Sequence, residues 1–112
     1  VLLVTAAPCL ANDLRVDWTN PTDGDPATEI RLERMLQCSG RHPWEQIAVL
    51  GPAVASYYDA GLNDGEEYCY RLRHCNAQGC GEYTPQVGNR TRVPPSGNDF
   101  QMSMAGRAPC CG

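Results

Sequence analysis

Lysine is missing from this 112-residue chain: its nine basic residues are all Arg, set against 13 Asp and Glu, for a formal net charge of -4. With no basic excess there is no positive stripe to neutralise phosphates, so nucleic acid is not an expected partner. The Arg-only set reads as codon bias of a GC-rich genome, because Arg-for-Lys exchange leaves a solvated face charged. No apolar run reaches the roughly 18 to 20 residues of a membrane helix, and no membrane insertion is expected. Helical apolar stripes are also missing. So are the catalytic signatures G-x-S-x-G and H-E-x-x-H and any phosphate-cradling glycine motif. The acidic pairs Glu66-Glu67 and Asp23-x-Asp25 fall in turns, where solvated carboxylates are the default. The sequence therefore predicts no enzyme, no catalytic residue and no cofactor.

What is abundant is cysteine, with seven residues beside 9 Pro and 11 Gly. That composition points to a secreted protein in an oxidising compartment. Zinc is the rival use of so many Cys with His42 and His74. No C-x-x-C spacing occurs, however, and Cys69, Cys75 and Cys80 would have to leave a sheet to converge, so no metal is expected.

Apolar residues recur at period two in short runs divided by Gly, Pro, Asn and Asp, the pattern of an all-β chain. Val1 to Ala11 reads as a first strand rather than a signal-peptide remnant, since no positive region precedes it. Leu14, Val16 and Trp18 alternate with charged residues up to the turn Asn20 to Pro26. Ile30 and Leu32 alternate likewise, a strand runs from Trp44 to Leu50, and a short one covers Ser56 to Tyr58. In Tyr68 to Arg73, Tyr68, Tyr70 and Leu72 face inward and Cys69, Arg71 and Arg73 outward. Asn76 to Gly79 reads as a four-residue hairpin connection leading to a last strand from Gly81 to Thr91. Seven strands at this spacing predict a β-sandwich. Pro94-Pro95-Ser96-Gly97 reads as a semi-rigid linker to a Cys-containing tail, giving a domain over 1–93 and a linker and tail over 94–112.

Over residues 1 to 92 the chain resembles a fibronectin type III domain. The likeness lies in Trp18 on the second strand, Ile30-Arg31-Leu32-Glu33-Arg34, Trp44-Glu45-Gln46-Ile47-Ala48, the segment Tyr58 to Tyr68, and Tyr70-Arg71-Leu72-Arg73 with Asn76 to Gly79. Tyr58 and Asp59 depart from the pattern by one missing residue between them. The resemblance implies a seven-stranded immunoglobulin-like sandwich with Trp18 in the core. It also implies a tyrosine corner from Leu62 and Tyr68, and Gly65 supplying the turn conformation that other residues resist. Arg-Gly-Asp is absent. Gly81-Glu82-Tyr83-Thr84 stands where cytokine receptors carry Trp-Ser-x-Trp-Ser, so neither function carries over.

On that fold Cys9, Cys38 and Cys69 cluster at one end, and Cys75 and Cys80 at the other. Cys75 and Cys80 flank the last hairpin, close enough for a disulfide. Cys38 with Cys69 is the next pair, although Cys9 competes for either partner. Cys9, Cys110 and Cys111 then remain, and an odd number suggests a covalent link to another subunit. Asn89-Arg90-Thr91 is a glycosylation sequon on or after the last strand. The implied function is a non-enzymatic extracellular structural or interaction module, disulfide-stabilised and glycosylated, within a cell-surface or extracellular filament or matrix assembly. Its partners are proteins, including copies of itself, and covalent glycans. Contacts would come from edge strands and from aromatic residues such as Trp44, Tyr57 and Tyr83, although its place in the family pattern favours packing over anchoring for Trp44. An accessory module of a secreted polysaccharide-acting hydrolase and a receptor ectodomain fragment are the competing readings.

Overall fold

The period-two alternation resolves into two antiparallel sheets in the computed structural model, which describes residues 4–8 and 12–91. The strands are β1 (Val4–Pro8), β2 (Leu14–Trp18), β3 (Glu29–Leu36), β4 (Glu45–Leu50), β5 (Ser56–Asp59), β6 (Glu67–Asn76), β7 (Gly79–Cys80) and β8 (Val87–Arg90). One sheet has the order β1-β2-β5; the other runs β4-β3-β6, and β6 pairs further with both β7 and β8. No helix among the described residues is long and apolar enough to cross a membrane.

The core forms where the inward residues of the two sheets meet: Leu14, Val16 and Trp18 from β2, Ile30 and Leu32 from β3, and Tyr68, Tyr70 and Leu72 from β6. Each such side chain contributes about 1.5 to 3 kcal/mol relative to exposure. Trp18 keeps its polar end satisfied, the indole Nε1 donating to the Val54 carbonyl at 3.0 Å. One end of the sandwich is pinned by a tyrosine corner, in which the Asn63 backbone N–H donates to the Tyr68 hydroxyl at 3.1 Å. Beside it, Gly65 takes a φ of 62°, a region unfavourable to residues with a Cβ.

Two details differ from the sequence reading. Among the described residues there are eight strands rather than seven, because Gly79 and Cys80 already pair with β6 as β7, and the run from Gly81 to Thr91 is strand only over Val87–Arg90. Thr84 interrupts it: its hydroxyl accepts from the Leu72 N–H at 3.1 Å, and its own N–H donates to the Leu72 carbonyl at 2.8 Å. A side chain thus stands in for a backbone acceptor, and Pro85 has no N–H with which to resume the ladder. The hairpin connection is two residues, Ala77 and Gln78, since Asn76 and Gly79 already pair across it.

Candidate functional site

The outward face of the larger sheet holds the densest set of chemically specific contacts. Residues two apart on a strand share a face, so Cys69, Arg71, Arg73 and Cys75 project outward together from β6. Opposite them in register stand Met35, Glu33, Arg31 and Glu29 of β3. Glu33 Oε1 pairs with the Arg71 guanidinium at 2.7 Å. Its Oε2 accepts from the Tyr83 hydroxyl at 2.8 Å. The Arg71 guanidinium carbon lies 4.3 Å from the Trp44 ring centroid and 3.7 Å from that of Tyr83, and Arg73 lies 4.4 Å from Tyr83. A row of alternating cation and ring results, Trp44–Arg71–Tyr83–Arg73. Burial and the Glu33 carboxylate both raise the Tyr83 pKa, so its hydroxyl stays protonated and donating.

Disulfides close both ends of this row. Cys38 and Cys69 are bonded with Cα atoms 5.4 Å apart, and Cys75 and Cys80 with Cα atoms 4.0 Å apart. The second joins residues directly paired across the hairpin. The first lies on Gly88, the cross-strand neighbour of Cys69; a Cβ there would stand 2.6 Å from the Cys38 sulfur. Among the described residues no cysteine is free and no three potential ligands gather around a metal position. Cys9, Cys110 and Cys111, and the tail over 94–112, lie outside the described residues.

The inward face carries a second polar cluster, which sequence reasoning missed. Asp59, only 5% exposed, accepts from Arg34 Nη1 at both carboxylate oxygens and from the Tyr70 hydroxyl at 2.6 Å. Burial and then the Asp59 hydrogen bond raise the Tyr70 pKa, keeping the hydroxyl a donor. For Arg34, burial opposes the charge but the Asp59 bond and its field outweigh it, so the net shift is upward. The cluster ties β3, β5 and β6 together, and Arg34 Nη2 extends it to Glu45 of β4 at 3.3 Å.

Superposition on solved structures identifies the architecture. The fibronectin type III domain of the human collagen alpha-1(XX) chain matches with a TM-score of 0.70 at 18% identity, over 87% of this chain and 88% of that one. The fold is that of a fibronectin type III domain. The FN5 domain of Drosophila Lar has the same fibronectin type III fold, with a TM-score of 0.63 at 14% identity over 80% of this chain and 91% of that domain. No family model matches the chain, and no curated protein does.

On this fibronectin type III fold the anchors divide unequally. Trp44 and Tyr83 join the outward row. Tyr57 instead packs against the core, and the exposed aromatic of β5 is its neighbour Tyr58, 43% accessible. A phase error of one residue moves a side chain to the other face. Asn89 is exposed on β8, with its Nδ2 donating to the Ala6 carbonyl at 2.8 Å. The sequon's Thr91 is 3% exposed, and its hydroxyl donates to the Asn63 carbonyl while accepting from the Glu66 N–H.

Proposed function

We propose that this chain is a non-enzymatic, disulfide-stapled extracellular interaction module that contributes the outward face of its larger sheet to a cell-surface, filament or matrix assembly. The observation that supports the reading best is the framed row Trp44–Arg71–Tyr83–Arg73. Trp, Tyr and Arg are the residue types that dominate contact energetics, and here they are held rigid before any partner arrives. The paired disulfides fit an oxidising compartment.

In this reading residues 1–93 are the domain and 94–112 a linker and tail, with Cys9, Cys110 and Cys111 supplying covalent links to neighbouring subunits. A glycan on Asn89 would have to be attached before β8 docks, because the folded domain engages both the Asn89 amide and the Thr91 hydroxyl. Peptide mass spectrometry of native material, non-reducing against reducing, tests the assembly role. The reading expects at least one of Cys9, Cys110 and Cys111 joined to another chain. Finding all three free or paired internally would remove covalent assembly from it.

A further inference from the structure

Where β3 and β6 stand in register, the outward side has one more cation than the carboxylates there neutralise. The facing positions of β3 and β6 carry Arg31, Arg71 and Arg73 but only Glu29 and Glu33. Glu29 bonds Arg31 and Glu33 bonds Arg71. Arg73 has no carboxylate among the described residues, and its Nε is buried without a hydrogen-bond acceptor. It is also the register partner of Arg31, so two like charges stand side by side. Arrangements of this kind are costly, since a buried donor without an acceptor loses its water and gains nothing. On the other side of Arg31, as its register partner on β4, stands Val49, an apolar side chain 53% exposed to solvent.

We propose that Arg73 is the anchor of a docking site for an acidic segment of a partner protein, whose carboxylate reaches the guanidinium while an adjoining apolar side chain covers Val49. The inference rests on the interaction-module reading and names the chemistry of its partner. Charge complementarity carries it. The chain as a whole is at -4, yet this face holds an uncompensated guanidinium already oriented by the Tyr83 ring. A carboxylate binds the two Nη groups of such a planar donor set with two parallel hydrogen bonds, the buried Nε staying out of its reach, and orientation in advance lowers the entropy lost on docking.

The test is an amide and side-chain NMR titration of the oxidised domain with capped tetraglutamate, with capped tetralysine as control. Tetraglutamate is expected to shift the Arg73 side-chain signals together with Tyr83 and Trp44, and less at high salt. Arg73→Gln should weaken the effect roughly tenfold, the loss of one charge-assisted contact, and Arg73→Lys should fall between. An unchanged amide spectrum away from β6 shows that each variant folds. Equal shifts with tetralysine, none with tetraglutamate, or full binding by Arg73→Gln would overturn the proposal. So would a sulfated disaccharide that displaces tetraglutamate from the same residues at lower concentration, which would reassign the face to a glycan. If instead tetraglutamate is inert while the native assembly still covers Trp44 and Tyr83, only the acidic-partner inference falls and the module reading stands.

Discussion

The inward face of β6 carries Tyr68, Tyr70, Leu72 and His74, and the outward face Cys69, Arg71, Arg73 and Cys75, on alternate residues of one strand. Inward, water is excluded by the opposite sheet, and the polar atoms that enter are matched within the Asp59–Arg34–Tyr70 cluster. Outward there is no opposite sheet. Rings of Trp44 and Tyr83 and two disulfides cover the strand, and one cation is left unmatched. The inward arrangement is complete in itself, which is what a core requires. The outward one is rigid but unfinished, as expected of a surface that meets something else.

The largest effect should come from the inward face. Leu72 is fully buried among core residues. Leu72→Ala is expected to cost about 3 to 4 kcal/mol of unfolding free energy in urea, from lost burial and the cavity left behind. A cost near zero would mean that the sheets do not close over it. Removing the outward staples should come next, and unequally. The chain-entropy argument gives about 4 kcal/mol for Cys38–Cys69, which closes a separation of 31 residues, and about 2 kcal/mol for Cys75–Cys80, which closes 5. Paired Ser substitutions at each bridge, compared by thermal melting, would show whether that order holds. Under a graded reductant Cys75–Cys80 should open first, because Cys80 is exposed whereas Cys69 is buried.

Gly88→Ala tests how closely the first bridge lies on β8. The added Cβ meets the Cys38 sulfur at 2.6 Å and the Cys69 sulfur at 3.1 Å, with a cost of about 1 to 3 kcal/mol for overpacking. A neutral substitution would show that the bridge sits higher above the sheet. Trp44→Ala should cost about 1 to 2 kcal/mol, the scale of a half-buried cation–ring contact, while leaving the core spectrum intact.

The smallest effect belongs to pH. Burial lowers the His74 pKa below its ordinary 6.5, so protonation disfavours the folded state. Stability is then full above about pH 6.5 and declines as pH falls through the lowered folded value. The bond between His74 Nε2 and Asn20 Oδ1 moderates the loss, since a protonated ring can still donate. His74→Gln should flatten the midpoint of urea unfolding between pH 7 and pH 5; an unchanged slope would assign the dependence to other groups.

Much of this was legible in the sequence because it is local. The alternation Leu14, Val16, Trp18 sets the face of β2 without reference to anything distant, and Tyr68, Tyr70 and Leu72 do the same for β6. What escaped depends on meetings between distant segments. Thr84 looks like an ordinary strand residue until its hydroxyl is seen replacing a backbone acceptor for Leu72. Asp59 falls just past the short strand read over Ser56 to Tyr58, yet β5 extends to it and register places it under Arg34 and Tyr70. The outward row draws Glu33, Trp44, Arg71 and Tyr83 from four parts of the chain. A bulge between Leu32 and Glu33 also shifts the β3–β4 register, a displacement that alternation alone does not announce.

The central claim is that the outward face of the larger sheet is the contact surface, and hydroxyl-radical footprinting of the native assembly against the dissociated chain tests it most directly. Protection should concentrate at Trp44 and Tyr83 while Tyr58, on the other sheet, labels equally in both states. Protection of Tyr58 with Trp44 and Tyr83 unchanged would contradict the account and move the contact surface to the smaller sheet.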